Sequence, residues 1–147
     1  MSNIVSDMVQ VHVFRVNPSK RIEYLLLQRS PDESLYPGLW QMVTGSIETG
    51  ETAVEAARRE VLEETGMQLT ELTVVPYIAS FYLESDDSIH HVPVFAAEVP
   101  HASAVCLSPE HTALSWLRYD GAWRRLVFPG HREGLRILEE FVLHTRI

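Results

Sequence analysis

The chain has 147 residues, a formal net charge of −8 and a single cysteine, Cys106. With 46% hydrophobic and 22% charged residues its composition is that of an ordinary globular protein. The acidic balance argues against non-specific nucleic-acid binding, one cysteine excludes an internal disulfide or a cysteine-rich zinc site, and no apolar run approaches the roughly 20 residues that span a bilayer. The start, "MSNIVSDMVQ", lacks the basic flank of a secretory signal. The expectation is therefore one domain, residues 1–147, cytoplasmic, with neither a membrane nor a nucleic acid as partner.

Val9 to Val16, "VQVHVFRV", alternates and is rich in β-branched residues, which predicts a strand. "NPSK", Asn17 to Lys20, has turn chemistry, and Glu23 to Gln28 reads as a second strand with a buried centre. "SPDESLYPGLW" is a loop punctuated by Pro31, Pro37 and Gly38, leading into a short strand from Gln41 to Thr44. Further strands are expected over Leu72 to Leu83, Ile89 to Val99 and Ala113 to Tyr119, with "ESDDS" as the turn between the first two. The tail from Arg132 to Thr145 predicts an amphipathic helix with Leu135, Leu138 and Val142 on one stripe. His90 and His91 lie near Asp86 and Asp87, but adjacent strand residues point to opposite faces, so one shared metal ion is not expected there. Cys106 is most simply a small apolar filler.

Between the short strand and Leu72 lies a helix with strong end signals. Thr52 with Glu55 three residues on makes a capping box, and Gly66 supplies the stop. Glu60, Glu63 and Glu64 crowd into little more than one turn, where like charges repel. On a helical wheel Glu60 and Glu64 fall at the rim of the apolar stripe of Ala53, Val54, Ala57 and Val61, while Arg58 and Arg59 fall on the far side. The glutamates thus have no basic partner on their own face. Carboxylates turned toward the body of the domain need a counter-ion or raised pKa values, and oxygen ligands at this spacing suit a hard cation such as Mg2+ or Mn2+. The stretch from Gly45 to Met67 carries a net −4, so an anionic ligand could approach it only with cations in between.

The stretch "GSIETGETAVEAARREVLEETGM", Gly45 to Met67, resembles the Nudix box, G-x5-E-x7-R-E-U-x-E-E-x-G-U with U apolar. Every fixed position is satisfied: Gly45, Glu51, Arg59, Glu60, Val61, Glu63, Glu64, Gly66 and Met67. The resemblance implies an α/β/α sandwich around a mixed sheet. It also implies metal-dependent hydrolysis of a nucleoside diphosphate linked to a further group. By position, Glu60 and Glu64 are implied as principal metal ligands, Glu63 as a further ligand or the base, and the Gly45 carbonyl as an extra ligand. Arg59 is implied to orient the glutamates. Glu51 either pairs with Arg59 or serves as a charge near the helix N-terminus.

"LWQMVTGSIETGE" and "EHTALSWL" resemble the bacterial dihydroneopterin triphosphate pyrophosphohydrolases, a group often placed with dATP pyrophosphohydrolases. That resemblance implies a nucleotide-like or pterin triphosphate as the small-molecule partner, cleaved to monophosphate and pyrophosphate. It points to Glu110 as a carboxylate joining the site from outside the box, ahead of Glu48 and Glu98. It implies substrate contacts from Arg29, Thr44 and Arg132, and Trp40 is a candidate stacking partner for a flat ring. Two rival readings stay open: a dinucleoside polyphosphate hydrolase, to which Tyr82 gives slight support, and a silent Nudix module that only binds a nucleotide. The intact carboxylates argue against the second. A homodimer is compatible with the sequence.

Overall fold

The computed structural model describes residues 1–144. Strand β2 (Met8–Val16) is the spine of the sheet, and its sequence explains why. Val9, Val11 and Val13 alternate with Gln10, His12 and Phe14, and both sets are buried, so both faces of this strand must be covered. Along one edge β2 runs parallel to β7 (Ser88–Glu98), from the Gln10–Val94 pair to Phe14–Glu98. The other edge is shared. Its start pairs antiparallel with β5 (Val43–Ser46) and its end with β3 (Ile22–Arg29). β4 (Trp40–Gln41) pairs with the far end of β3, so β4 and β5 fill the wedge where β2 and β3 part. β8 (His111–Leu117) lines β3, β6 (Thr73–Leu83) lines β7, and β1 (Asn3–Val5) runs parallel to the start of β7. Among the described residues the sheet is mixed, with eight strands.

Helix α1 (Ala53–Thr65) covers the face that carries Val9, Val11, Val13, Leu25, Leu27 and Val43, through Ala56, Ala57 and Val61. The opposite face carries Phe14, Tyr24, Leu26 and Val94. It is covered by α2 (Tyr119–Arg125) and α3 (Pro129–Ile137) together with Leu138. Each fully buried Val, Leu or Phe contributes roughly 1.5–3 kcal/mol through the water it sheds, and the two faces give two such clusters. This is the expected α/β/α sandwich around a mixed sheet. Among the described residues no helix is long and apolar enough to cross a membrane.

Several boundaries differ from expectation, each for a local reason. The strand expected over Gln41 to Thr44 is two strands, because Met42 turns into the core between them. β8 begins at His111 and ends at Leu117, while Tyr119 opens α2 instead of closing the strand. The last helix starts at Pro129, whose fixed φ suits a first helical position. It loosens into a π-type turn over Leu138–Leu143, and Thr145 lies outside the described residues. Leu135 and Leu138 are buried as the stripe requires, and Val142 packs beside them. The "ESDDS" turn is a short 3-10 turn closed by Asp87 at φ 49°. His90 and His91 do diverge: His90 bonds Ser88, and His91 bonds Ser80.

Candidate active site

The site is assembled where β5, the loop after it and α1 meet. Thr52 caps α1 in a full capping box with Glu55, and Gly66 closes it at φ 73°. The box glutamates therefore occupy a helix of fixed phase. Val54 is exposed while Ala56 is buried, so the buried stripe is rotated relative to the helical wheel. Glu64 lies within the stripe itself, not at its rim, and is only 2% exposed. Glu60 is largely covered, and Glu63 is more than half exposed.

Arg59 ties the parts together, which corrects the expectation that the glutamates lack a basic partner. Its Nε and Nη2 donate to the two oxygens of Glu51 at 2.8 and 2.9 Å, and Nη2 also donates to the Ser46 carbonyl at 2.7 Å. Its Nη1 donates to Glu60 at 3.0 Å and to Glu63 at 3.3 Å. A helical wheel gives the direction in which a side chain leaves the backbone, and a guanidinium on three methylenes reaches well beyond it. The forked bond to Arg59 holds the Glu51 carboxyl down at about 2. Glu51 thus serves the arginine, and Glu48 is 3.7 Å from the same guanidinium.

Gly45 allows the glutamates to approach the sheet. A Cβ at this position would lie 2.0 Å from Cδ of Glu60, so the carboxyl occupies the space a side chain would take. Glu64 is the least satisfied member of the group. Neither of its oxygens has a hydrogen-bond partner. Burial first, then close approach to the Glu60 carboxyl, and then the charges of Glu60, Glu110 and Glu63 push its pKa well above the usual carboxylate range. Glu110 contributes from the loop entering β8, where its carbonyl accepts from the Ser30 amide at 2.8 Å. Glu98 sits at the other end of β2 from Gly45 and takes no part in this group.

His111, which the sequence reading passed over, also belongs to the site. It is buried, and its Nε2 lies 3.7 Å from Oε1 of Glu64. Its pKa is lowered by burial and then by the charge of Arg29, its partner across the β3–β8 ladder. The adjacent Glu110 was the available signal, but in a regular strand position 111 would read as a core residue.

The residues expected to contact substrate divide. Arg29 is beside His111, and its Nε donates to the Leu35 carbonyl at 2.8 Å, bracing the loop before β4. Thr44 precedes Gly45 on β5 and turns to the opposite face. Trp40 packs against the core on the α2 and α3 side, and its ring carries the Arg125 guanidinium 4.7 Å from its centroid. A ring stacking on that face would have to displace Arg125. Arg132 donates from Nε to the Leu126 carbonyl at 2.6 Å and lies over Trp123, so it closes the end of α2. Tyr82 is exposed and bonds Asp87.

Among the described residues no three His, Cys, Asp or Glu side chains stand ready as a metal cage. The donor set nevertheless fits a hard divalent cation. Two buried carboxylate oxygens without a partner face further carboxylates, a cluster of hard oxygen donors.

The NUDIX domain family model matches residues 7–139. This chain belongs to the Nudix hydrolase family. Dihydroneopterin triphosphate diphosphatase of Escherichia coli K12 is 33% identical over 145 residues, covering 90% of each chain. A protein of Myxococcus xanthus described as an octanoyltransferase is 36% identical over 121 residues, 81% of this chain; the chain spans only 32% of that protein's length. Among solved structures, an Ap4A hydrolase binary complex from C. elegans superposes with a TM-score of 0.78 at 25% identity. The match covers 95% of this chain and 99% of that one. These similarities make the present chain a Nudix enzyme with the family's mixed sheet and helical layers.

Proposed function

We propose that this Nudix hydrolase cleaves a nucleoside or pterin triphosphate to the monophosphate and pyrophosphate, in a reaction dependent on Mg2+ or Mn2+. The observation that carries the metal-dependent part is Glu64, a buried carboxylate with two unpartnered oxygens among the charges of Glu60, Glu110 and Glu63. Glu60, Glu63, Glu64, Glu110 and the Gly45 carbonyl would hold the cation. When bound, it polarises the phosphoryl oxygens and lowers the pKa of water. Arg59 locks Glu60 and Glu63 in place through Nη1, and its bonds to Glu51 and Ser46 keep the loop after β5 fixed against α1. Glu63 and Glu110, the more exposed carboxylates, are the candidates to take a proton from the attacking water. The water oxygen bonds to one phosphorus of the anhydride as the bridging P–O bond breaks, so one product carries the water oxygen and the other leaves with the bridging oxygen. Arg29, beside His111, would meet the substrate from the end of β3, and Thr44 would do so only from the opposite face of β5. Trp40 and Arg132 would do so only by giving up their present partners.

The triphosphate reading is supported by the resemblance to the E. coli diphosphatase along 90% of both chains. A second reading, a dinucleoside polyphosphate substrate, is favoured by the likeness to the C. elegans Ap4A hydrolase. One panel separates them. Nucleoside triphosphates, dihydroneopterin triphosphate, diadenosine polyphosphates and ADP-ribose are incubated with Mg2+, Mn2+ or EDTA, and products are resolved by ion exchange. Pyrophosphate release from a triphosphate, abolished by EDTA, is the expected result. Cleavage of ADP-ribose with no triphosphate turned over would refute the proposal.

A further inference from the structure

β8 is out of phase with β3 at one point. Tyr24 to Gln28 pair one-for-one with Leu117 to Ala113, but Arg29 then pairs with His111, passing over Thr112. A bulge of this kind re-aims the side chains on its strand. Leu114 and Trp116 pack on the α1 face, so in a regular strand Thr112 would share that face and His111 would point away. The bulge reverses this, leaving Thr112 exposed and turning His111 under α1.

There it meets Glu64. The His111 side chain has no exposed surface, and neither Nδ1 nor Nε2 has a hydrogen-bond partner. The Glu64 side chain is 3% exposed, and its two oxygens are equally bare. Buried polar groups almost always find a partner, and these two unsatisfied groups face each other across 3.7 Å. A small rotation of either side chain would close the gap to hydrogen-bond distance.

We infer that His111 is a positioning residue, donating a hydrogen bond from Nε2 to Glu64 and fixing that carboxylate as a ligand for a divalent cation. The inference rests on the metal reading above. With a cation bound, a carboxylate with one oxygen anchored by a neutral donor is ionised and presents its other oxygen in one direction. Partners of this kind set the affinity of a metal site as well as its activity. The bulge at Thr112 thus supplies Glu64 with a support that the α1 sequence does not.

The test is Mn2+ affinity, measured by electron paramagnetic resonance of free Mn2+, alongside thermal midpoints in EDTA. Wild type is compared with His111→Leu, His111→Gln and His111→Asn. Gln places an amide N–H near the position of Nε2, and Asn places one near Nδ1. His111→Leu and His111→Asn should weaken Mn2+ binding by about 10- to 100-fold, while His111→Gln stays within about threefold of wild type. Should His111→Leu fail to fold, the Gln–Asn contrast decides. Unchanged affinity in Leu or Asn, or equal losses in Gln and Asn, would overturn the inference while leaving the metal site standing. Absence of Mn2+ binding in wild type would overturn the metal reading, and this inference with it.

Discussion

At Glu64 a carboxylate is held away from water beside others of its kind, and glutamine would keep its shape while removing its charge. Without metal, folding has to pull this carboxyl into a site that resists ionisation, and Glu64→Gln removes that cost. The variant should therefore melt higher than wild type in EDTA at pH 8, on the order of 2–8 °C for each kcal/mol relieved. With saturating Mn2+ it should lose about 10^3-fold or more in turnover, the scale of losing a catalytic metal. Calorimetry and pyrophosphate release read the two effects, and full turnover of the variant would contradict the role given to Glu64. Gly45→Ala tests the approach from the strand side. The backbone of Gly45 is not left-handed, so the cost of an added methyl is steric, and it meets Glu60 first, with its Cβ 2.0 Å from Cδ. Glu60 must swing away, and kcat/KM should fall by about 10-fold or more with little change in the EDTA midpoint. An unchanged kcat/KM would show that Glu60 works from elsewhere. Much of this site was legible because the box specifies residue types at fixed spacing on one helix. The resemblance also pointed to Arg59 as the residue that orients the glutamates and to its pairing with Glu51, whereas the presence of His111 was not legible, since it depends on a strand irregularity.

Among the elements, the seam between β2 and α3 shows how a polar pair can lie within a core. Gly134 brings α3 so close that a Cβ there would lie 2.6 Å from Nε2 of Gln10 and 3.1 Å from Nε2 of His12. The Gln10 amide donates to His12 at 2.8 Å, so the imidazole accepts at Nε2 and is neutral. Burial, and then His131, bring the pKa of His12 down to about 3, and burial brings His131 to about 4. The ordinary histidine value is 6.5. Below it the unfolded chain binds protons that the native state refuses, so stability is lost as pH falls from 6.5 toward 4 and then 3. Urea titrations at pH 7 and pH 5 should differ by about 2 kcal/mol per buried histidine, and His12→Leu should show the shallower dependence. An equal pH dependence in His12→Leu and wild type would contradict a neutral His12. Sequence patterning found β2 through its alternation, β3 through its apolar centre, and β6 and β7 through their length. It missed β1, which has three residues, and α2, whose "YDGAWRR" is too short for a helical repeat and contains Gly121. It merged β4 with β5 because the break at Met42 depends on the splay of β2 from β3, a property of neighbours distant in sequence.

For the whole molecule, the position of β2 at the centre of the sheet has a consequence for synthesis. β2 emerges before every other strand of the sheet except β1, followed at once by β3, which can pair with its end. Its parallel partner β7 arrives only after β3 to β6 and α1 have emerged, since Gln10 must find Val94. Contacts of such sequence separation form late, because the entropy of closing the intervening chain has to be overcome first. Until then "VQVHVFRV" displays one bare edge and two apolar or half-apolar faces, the features that invite pairing with a foreign strand. The strand that organises the finished sheet is thus the segment of the nascent chain most in need of shielding.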